Sequence, residues 1–116
     1  MVVAKLRTLS LPDAPAVYEE LQRFTAGRGL HQRSFVGAIY TMACKNQKQF
    51  DAQAPSRPAG KSKAINGNVS DAVFAEIKAW QKKRKTTLRK HCLYILERTL
   101  SDPELLEKAV RTLRAM

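Results

Sequence analysis

Residues 17–41, VYEELQRFTAGRGLHQRSFVGAIYT, return 56 positions later as residues 73–97, VFAEIKAWQKKRKTTLRKHCLYILE. Val17, Leu21 and Phe24 recur as Val73, Ile77 and Trp80, and Tyr18 recurs as Phe74. Glu20, Arg28, Arg33 and Ile39 recur as Glu76, Arg84, Arg89 and Ile95. A shared register of large apolar positions across two helical stretches implies one supersecondary unit used twice. In a chain of 116 residues the two copies are halves of one core rather than independent domains.

Before the first copy, residues 3–11 alternate after Lys5, with Leu9 and Leu11 on one side and Thr8 and Ser10 on the other, as a half-buried strand does. Pro12 and Asp13 stop it, and Asp13 with Pro15 opens a helix to about Ala26. Gly27, Arg28 and Gly29 break that helix. A second helix runs from about His31 to Lys45, with Phe35, Val36, Ile39, Tyr40 and Ala43 at helical spacing. Residues 46–62 lose the periodicity and gather Pro, Gly and small polar residues, which reads as a linker. About fourteen flexible residues reach roughly 45 Å when extended, enough to return the chain to the start of the first unit.

The second unit repeats the order. Residues 63–69 form a poorer strand, with Ile65 and Val69 inside and Asn66 and Asn68 outside. The Asn66-Gly67 pair also reads as a hairpin turn. Ser70 or Asp71 caps the next helix, which ends in Lys82, Lys83, Arg84 and Lys85, and Thr86 or Thr87 caps the last repeat helix. Asp102 and Pro103 open a terminal helix with Leu105, Leu106, Ala109, Val110 and Leu113 on one face, fit to cover the bundle or a partner. The expected organisation is a single domain, 1–116, comprising a first unit (3–45), a linker (46–62), a second unit (63–100) and a C-terminal helix (101–116).

Charge points to a polyanionic partner. Twenty-one Lys and Arg face ten Asp and Glu, a formal net charge of +11, and both halves are basic. Cys44 and Cys92 fall in apolar helical patterns and read as reduced core residues. The chain has no CxxC or HxxxH spacing, so neither a metal nor another cofactor is expected. No apolar run is long enough to span a bilayer, so no membrane partner is expected and the expected location is cytoplasmic. His31 and His91 lack a partnered nucleophile or carboxylate cluster, and no carboxylate pair suits two-metal chemistry, which argues against an enzyme.

Two strand-helix-helix units solve each other's problem, because the strands pair antiparallel and four helices bury the apolar faces behind them. The expected fold class is therefore mainly α with a two-stranded antiparallel ribbon. This arrangement resembles the ribbon-helix-helix DNA-binding family, whose ribbon usually comes from two identical chains; here two ribbon-helix-helix motifs in one chain would form a pseudo-dimer. The tandem form also resembles the TraY-type relaxosome proteins and the overdrive- and T-DNA-border-binding proteins of the VirC operon. The long Pro-containing linker and the basic second half look more like the latter.

The resemblance implies double-stranded DNA as partner. Solvent-facing strand residues would enter the major groove, and the start of each unit's second helix would hold phosphates. By position, the base readers are Thr8, Ser10, Asn66 and Asn68. Lys5, Lys61 and Lys63 flank the strands toward the DNA backbone, and Arg7, on the inner side, would snorkel out to it. The phosphate candidates are Arg28, His31 and Arg33 in the first unit and Lys85, Thr87, Arg89 and Lys90 in the second. Arg33 and Arg89 also read simply as exposed helix residues. The resemblance further implies help to a relaxase or other transfer-complex proteins, with the monomer as a pseudo-dimer and higher assembly on DNA. A transcriptional repressor or antitoxin and a protein-interaction module docking through the terminal helix are the competing classes.

Overall fold

The computed structural model describes residues 6–11, 15–50 and 65–115. Along the chain these form β1 (Leu6–Leu11), α1 (Pro15–Arg28), α2 (Gln32–Lys45), a 3-10 turn (Gln47–Phe50), β2 (Ile65–Ser70), α3 (Asp71–Lys83), α4 (Leu88–Leu100) and α5 (Pro103–Ala115). The strands β1 and β2 pair antiparallel from Leu6↔Ser70 to Leu11↔Ile65. Asn66, Gly67 and Asn68 are ladder residues of β2, not a turn.

Both helix pairs break at matching positions by the same device. Gly29, at φ +65, lets Leu30 N–H donate to Thr25 O at 2.8 Å and Gly29 N–H to Ala26 O at 3.3 Å, which closes α1 with two reversed bonds. Fifty-six residues on, Lys85 sits at φ +55, with Thr86 N–H donating to Gln81 O at 3.3 Å and Lys85 N–H to Lys82 O at 3.0 Å. Caps also match the sequence patterns. Ser70 Oγ accepts from Val73 N–H and Thr87 Oγ1 from Lys90 N–H, each at 3.2 Å. Asp102 Oδ1 accepts from Glu104 N–H at 2.9 Å at the start of α5.

Helix α2 lies at the centre. Phe35, Val36, Gly37, Ala38, Ile39, Tyr40, Met42 and Ala43 are all buried, so it is apolar nearly all round, as an interior helix must be. Its contact with β2 runs through two glycines. A Cβ on Gly37 would lie 1.9 Å from the Asn68 carbonyl oxygen, and one on Gly67 would lie 2.6 Å from Val36 Cγ1. Neither position tolerates a side chain without displacing helix from strand.

The expected fold class needs correction. The chain is a mainly α-helical fold in which five helices carry the core, and it is not a ribbon-based pseudo-dimer of two equivalent halves. The reason lies outside the repeat. The apolar stripe of α5, with Leu105, Ala109 and Val110 buried, packs chiefly on α2 and joins the same core. After α2, by contrast, a 3-10 turn drives Phe50 into the core against Trp80, with ring centroids 5.8 Å apart and edge to face. Burial of two different segments at corresponding places makes the halves unequal. Arg28 Nη2 meets Glu107 Oε1 at 2.8 Å and ties α1 to α5, whereas Arg84 donates to Phe50 O at 2.8 Å. Tyr94 Oη donates to the same carbonyl.

Candidate nucleic-acid interface

Thr8 stands opposite Asn68 in the ladder and Ser10 opposite Asn66, so the four expected readers occupy nearby rungs of one strand pair. Along β2, Ile65, Gly67 and Val69 are buried while Asn66, Asn68 and Ser70 are partly exposed. The alternation follows from the strand's two-residue period. Arg7 pairs with Val69, on rungs whose β2 partners are buried. Lys5, Lys61 and Lys63 lie outside the described residues.

The two helix starts carry the remaining candidates. His31 is the N-cap residue of α2 and is exposed, but its side chain makes no capping bond; its Nδ1 lies 3.4 Å from Ser34 Oγ. Arg33 is exposed on the first turn. A cavity of about 630 Å³ joins this helix start to the strand pair, with His31, Arg33, Tyr18 and Gln22 on one side and Asn66 on the other. In the second unit Lys85, Thr87, Arg89 and Lys90 are exposed around the start of α4. Neither α2 nor α4 has an acid in its first turn, whereas α3 has Asp71 and α5 has Glu104. Acids are ordinarily favoured at that end of a helix, and a cation there costs about 0.3–1 kcal/mol unless an anion faces it. Arg28 differs from its neighbours: it holds Glu107 and stacks 4.6 Å over Phe24, so it fastens α1 to α5 even though it remains partly exposed.

His91 is 1 % exposed, with both ring nitrogens lacking a partner and its ring edge-on to Trp80 at 4.3 Å. Burial, with Arg84 adding to it, pulls its pKa down to about 4, so it is neutral at physiological pH. Burial pushes the Cys44 thiol up to about 12, with Glu76 contributing, and that of Cys92 up to about 11. Both cysteines are free and remain protonated. Among the described residues no group of three or more His, Cys, Asp and Glu is placed to hold a metal, and no helix is long and apolar enough to cross a membrane.

Sequence reading missed the positions that place β2. Gly37 had no visible signal beyond being a glycine inside a helix, and the signal at Gly67 pointed to a turn; glycine inside a regular element does mark close backbone approach. It also missed Lys45 and Lys48, which join Lys83 around a second cavity. No family model, curated protein or solved structure matches the chain.

Proposed function

We propose that this protein binds double-stranded DNA, with the β1–β2 pair lying in the major groove and the cationic starts of α2 and α4 gripping phosphates on either side. The observation that carries the reading is the ladder, in which Thr8, Ser10, Asn66 and Asn68 fall on nearby rungs. The major groove admits a two-stranded ribbon, and the amide of Asn suits the paired donor and acceptor of adenine. Thr and Ser discriminate less, so the two strands read different bases and an asymmetric site is expected. The net charge of +11 supports the same partner, as does the absence of acids from the first turns of α2 and α4. Lys85 adds to this support. A left-handed residue costs about 1–2 kcal/mol unless it is glycine, so a lysine there has a use other than closing the helix.

The test is selection of duplexes from a randomised pool, followed by fluorescence anisotropy over a salt series with wild type and the Asn66→Ala/Asn68→Ala variant. Loss of site preference with a steep salt slope retained supports base reading by the strands and phosphate binding elsewhere. Absence of duplex binding at low salt refutes the proposal. The selected sequence also separates a transfer-origin or border element from an operator, the distinction between an accessory role beside a relaxase and a repressor. Burial of Leu105, Ala109 and Val110 of α5, chiefly against α2, weighs against the interaction-module alternative.

A further inference from the structure

The C-terminal ends of α2 and α3 meet the 3-10 turn around a cavity of about 730 Å³, into which Lys45, Lys48, Lys83 and Arg84 face with Trp80 at its wall. Among the described residues no acidic side chain lines it. Cations at helix C-termini ordinarily answer the helix dipole, which amounts to about half a negative charge per helix. Two helix ends therefore account for about one of the four positive charges, and roughly three are left over. Arg84 is committed to the Phe50 carbonyl and to the Tyr94 ring, 4.3 Å below its guanidinium. Lys45, Lys48 and Lys83 are exposed and have no ion-pair partner among the described residues.

These lysines do not stand alone. Lys83 is followed along the chain by Lys85, Thr87, Arg89 and Lys90, all exposed between the end of α3 and the first turn of α4. Among the described residues the other unit has no equivalent. There the end of α1 is joined to α5 by the Arg28–Glu107 pair, which sets an acid where the second unit has only cations.

We infer that Lys45, Lys48 and Lys83 hold backbone phosphates of the bound duplex beyond the segment read by the strands, so that the DNA footprint extends further on the second-unit side. The inference rests on the DNA-binding reading above. It names three more phosphate contacts, and each phosphate neutralised steepens the dependence of log affinity on log salt by about 0.9.

The experiment measures that slope by anisotropy on a mixed-sequence duplex. It compares wild type, the Lys45→Gln/Lys48→Gln/Lys83→Gln variant and a control with the same charge loss on α5, Lys108→Gln/Arg111→Gln/Arg114→Gln. The cavity variant is expected to lower the slope by about 2.7 and the control by less than about 0.9. Melting curves check that each variant is folded. If the triple variant melts early, Lys83→Gln alone is expected to lower the slope by about 0.9. Duplex binding with an unchanged slope overturns the cavity's assignment and leaves the DNA-binding reading standing. An equal loss in the control overturns it too, by reducing the effect to net charge. No duplex binding by wild type overturns both.

Discussion

Replacing Gly37 by Ala places a methyl carbon 1.9 Å from the Asn68 carbonyl oxygen, where ordinary contact begins near 3.4 Å. The obstacle is backbone in the middle of β2, so α2 and β2 must part by about 1.5 Å or the strand must buckle. Two opposed terms then compete. Alanine improves the helix by about 1 kcal/mol over glycine, whereas overpacking a close-packed contact costs about 1–3 kcal/mol, and rigid backbone puts this case toward the upper end. The expected result is a net loss of about 1–2 kcal/mol in urea unfolding, or a Tm lower by roughly 4–8 °C. Gly27→Ala is the internal control. Nothing lies within 4 Å of its Cβ, so the helix term acts alone and stability should rise by about 0.5–1 kcal/mol. Opposite signs at two glycines within helices are the signature of the packing described above. A rise in stability for Gly37→Ala equal to that for Gly27→Ala would refute the close approach of α2 to β2. Because Asn66 and Asn68 ride on that strand, Gly37→Ala should also blunt DNA site preference more than overall DNA affinity.

Three further outcomes are expected. His91 is neutral and buried with its pKa lowered to about 4, so its contribution is full above the unfolded value near 6.5 and is lost as pH falls through 4; at 1.36 kcal/mol per pH unit this reaches about 3 kcal/mol, and His91→Phe should remove that part of the acid sensitivity, a reading sunk if the two proteins lose stability in parallel between pH 7 and 4. Lys85→Gly should raise stability by about 1 kcal/mol by relieving the φ of +55, while weakening duplex binding; an unchanged or lower Tm counts against left-handed strain at that residue. Phe50→Ala should cost about 3–5 kcal/mol, since its ring is fully buried against Trp80, and a thermal shift of only a degree or two would show that the 3-10 turn is not anchored there.

The local punctuation of the fold was legible in the sequence, because it depends on residues within one turn of each other. Ser70 and Thr87 cap helices, and Gly29 ends one. The alternation of Ile65 and Val69 with Asn66 and Asn68 showed which side of β2 is buried. What escaped was set by distant partners. Phe50 sits alone among polar residues and shows no periodicity, so the linker expected over 46–62 concealed a core residue. The repeat suggested equivalent halves, yet α5 lies beyond it and spends its apolar face on α2, which broke the equivalence. Arg28 and Arg84 share a repeat position, but only the fold reveals that one holds Glu107 and the other the Phe50 carbonyl. For the candidate site, the pattern gave the two-residue alternation of β2 but not the register that sets Thr8 against Asn68 and Ser10 against Asn66, and the Lys45, Lys48 and Lys83 cluster required α2 and α3 to converge.

The β1–β2 ladder also imposes an order of events on synthesis. Leu6 pairs with Ser70 and Leu11 with Ile65, so the first strand to leave the ribosome is useless until more than fifty further residues have been made. At about 5–20 residues per second it waits on the order of 3–12 s. Meanwhile α1 and α2 are already available to collapse on each other through local contacts, which form fastest. The surface proposed to meet DNA is therefore completed only after β2 and the start of α4 have emerged, with α5 still to follow. A nascent chain interrupted before β2 would present one charge-balanced helix, one basic helix and an unpaired strand edge, a species with no means of reading DNA and with a template for aggregation.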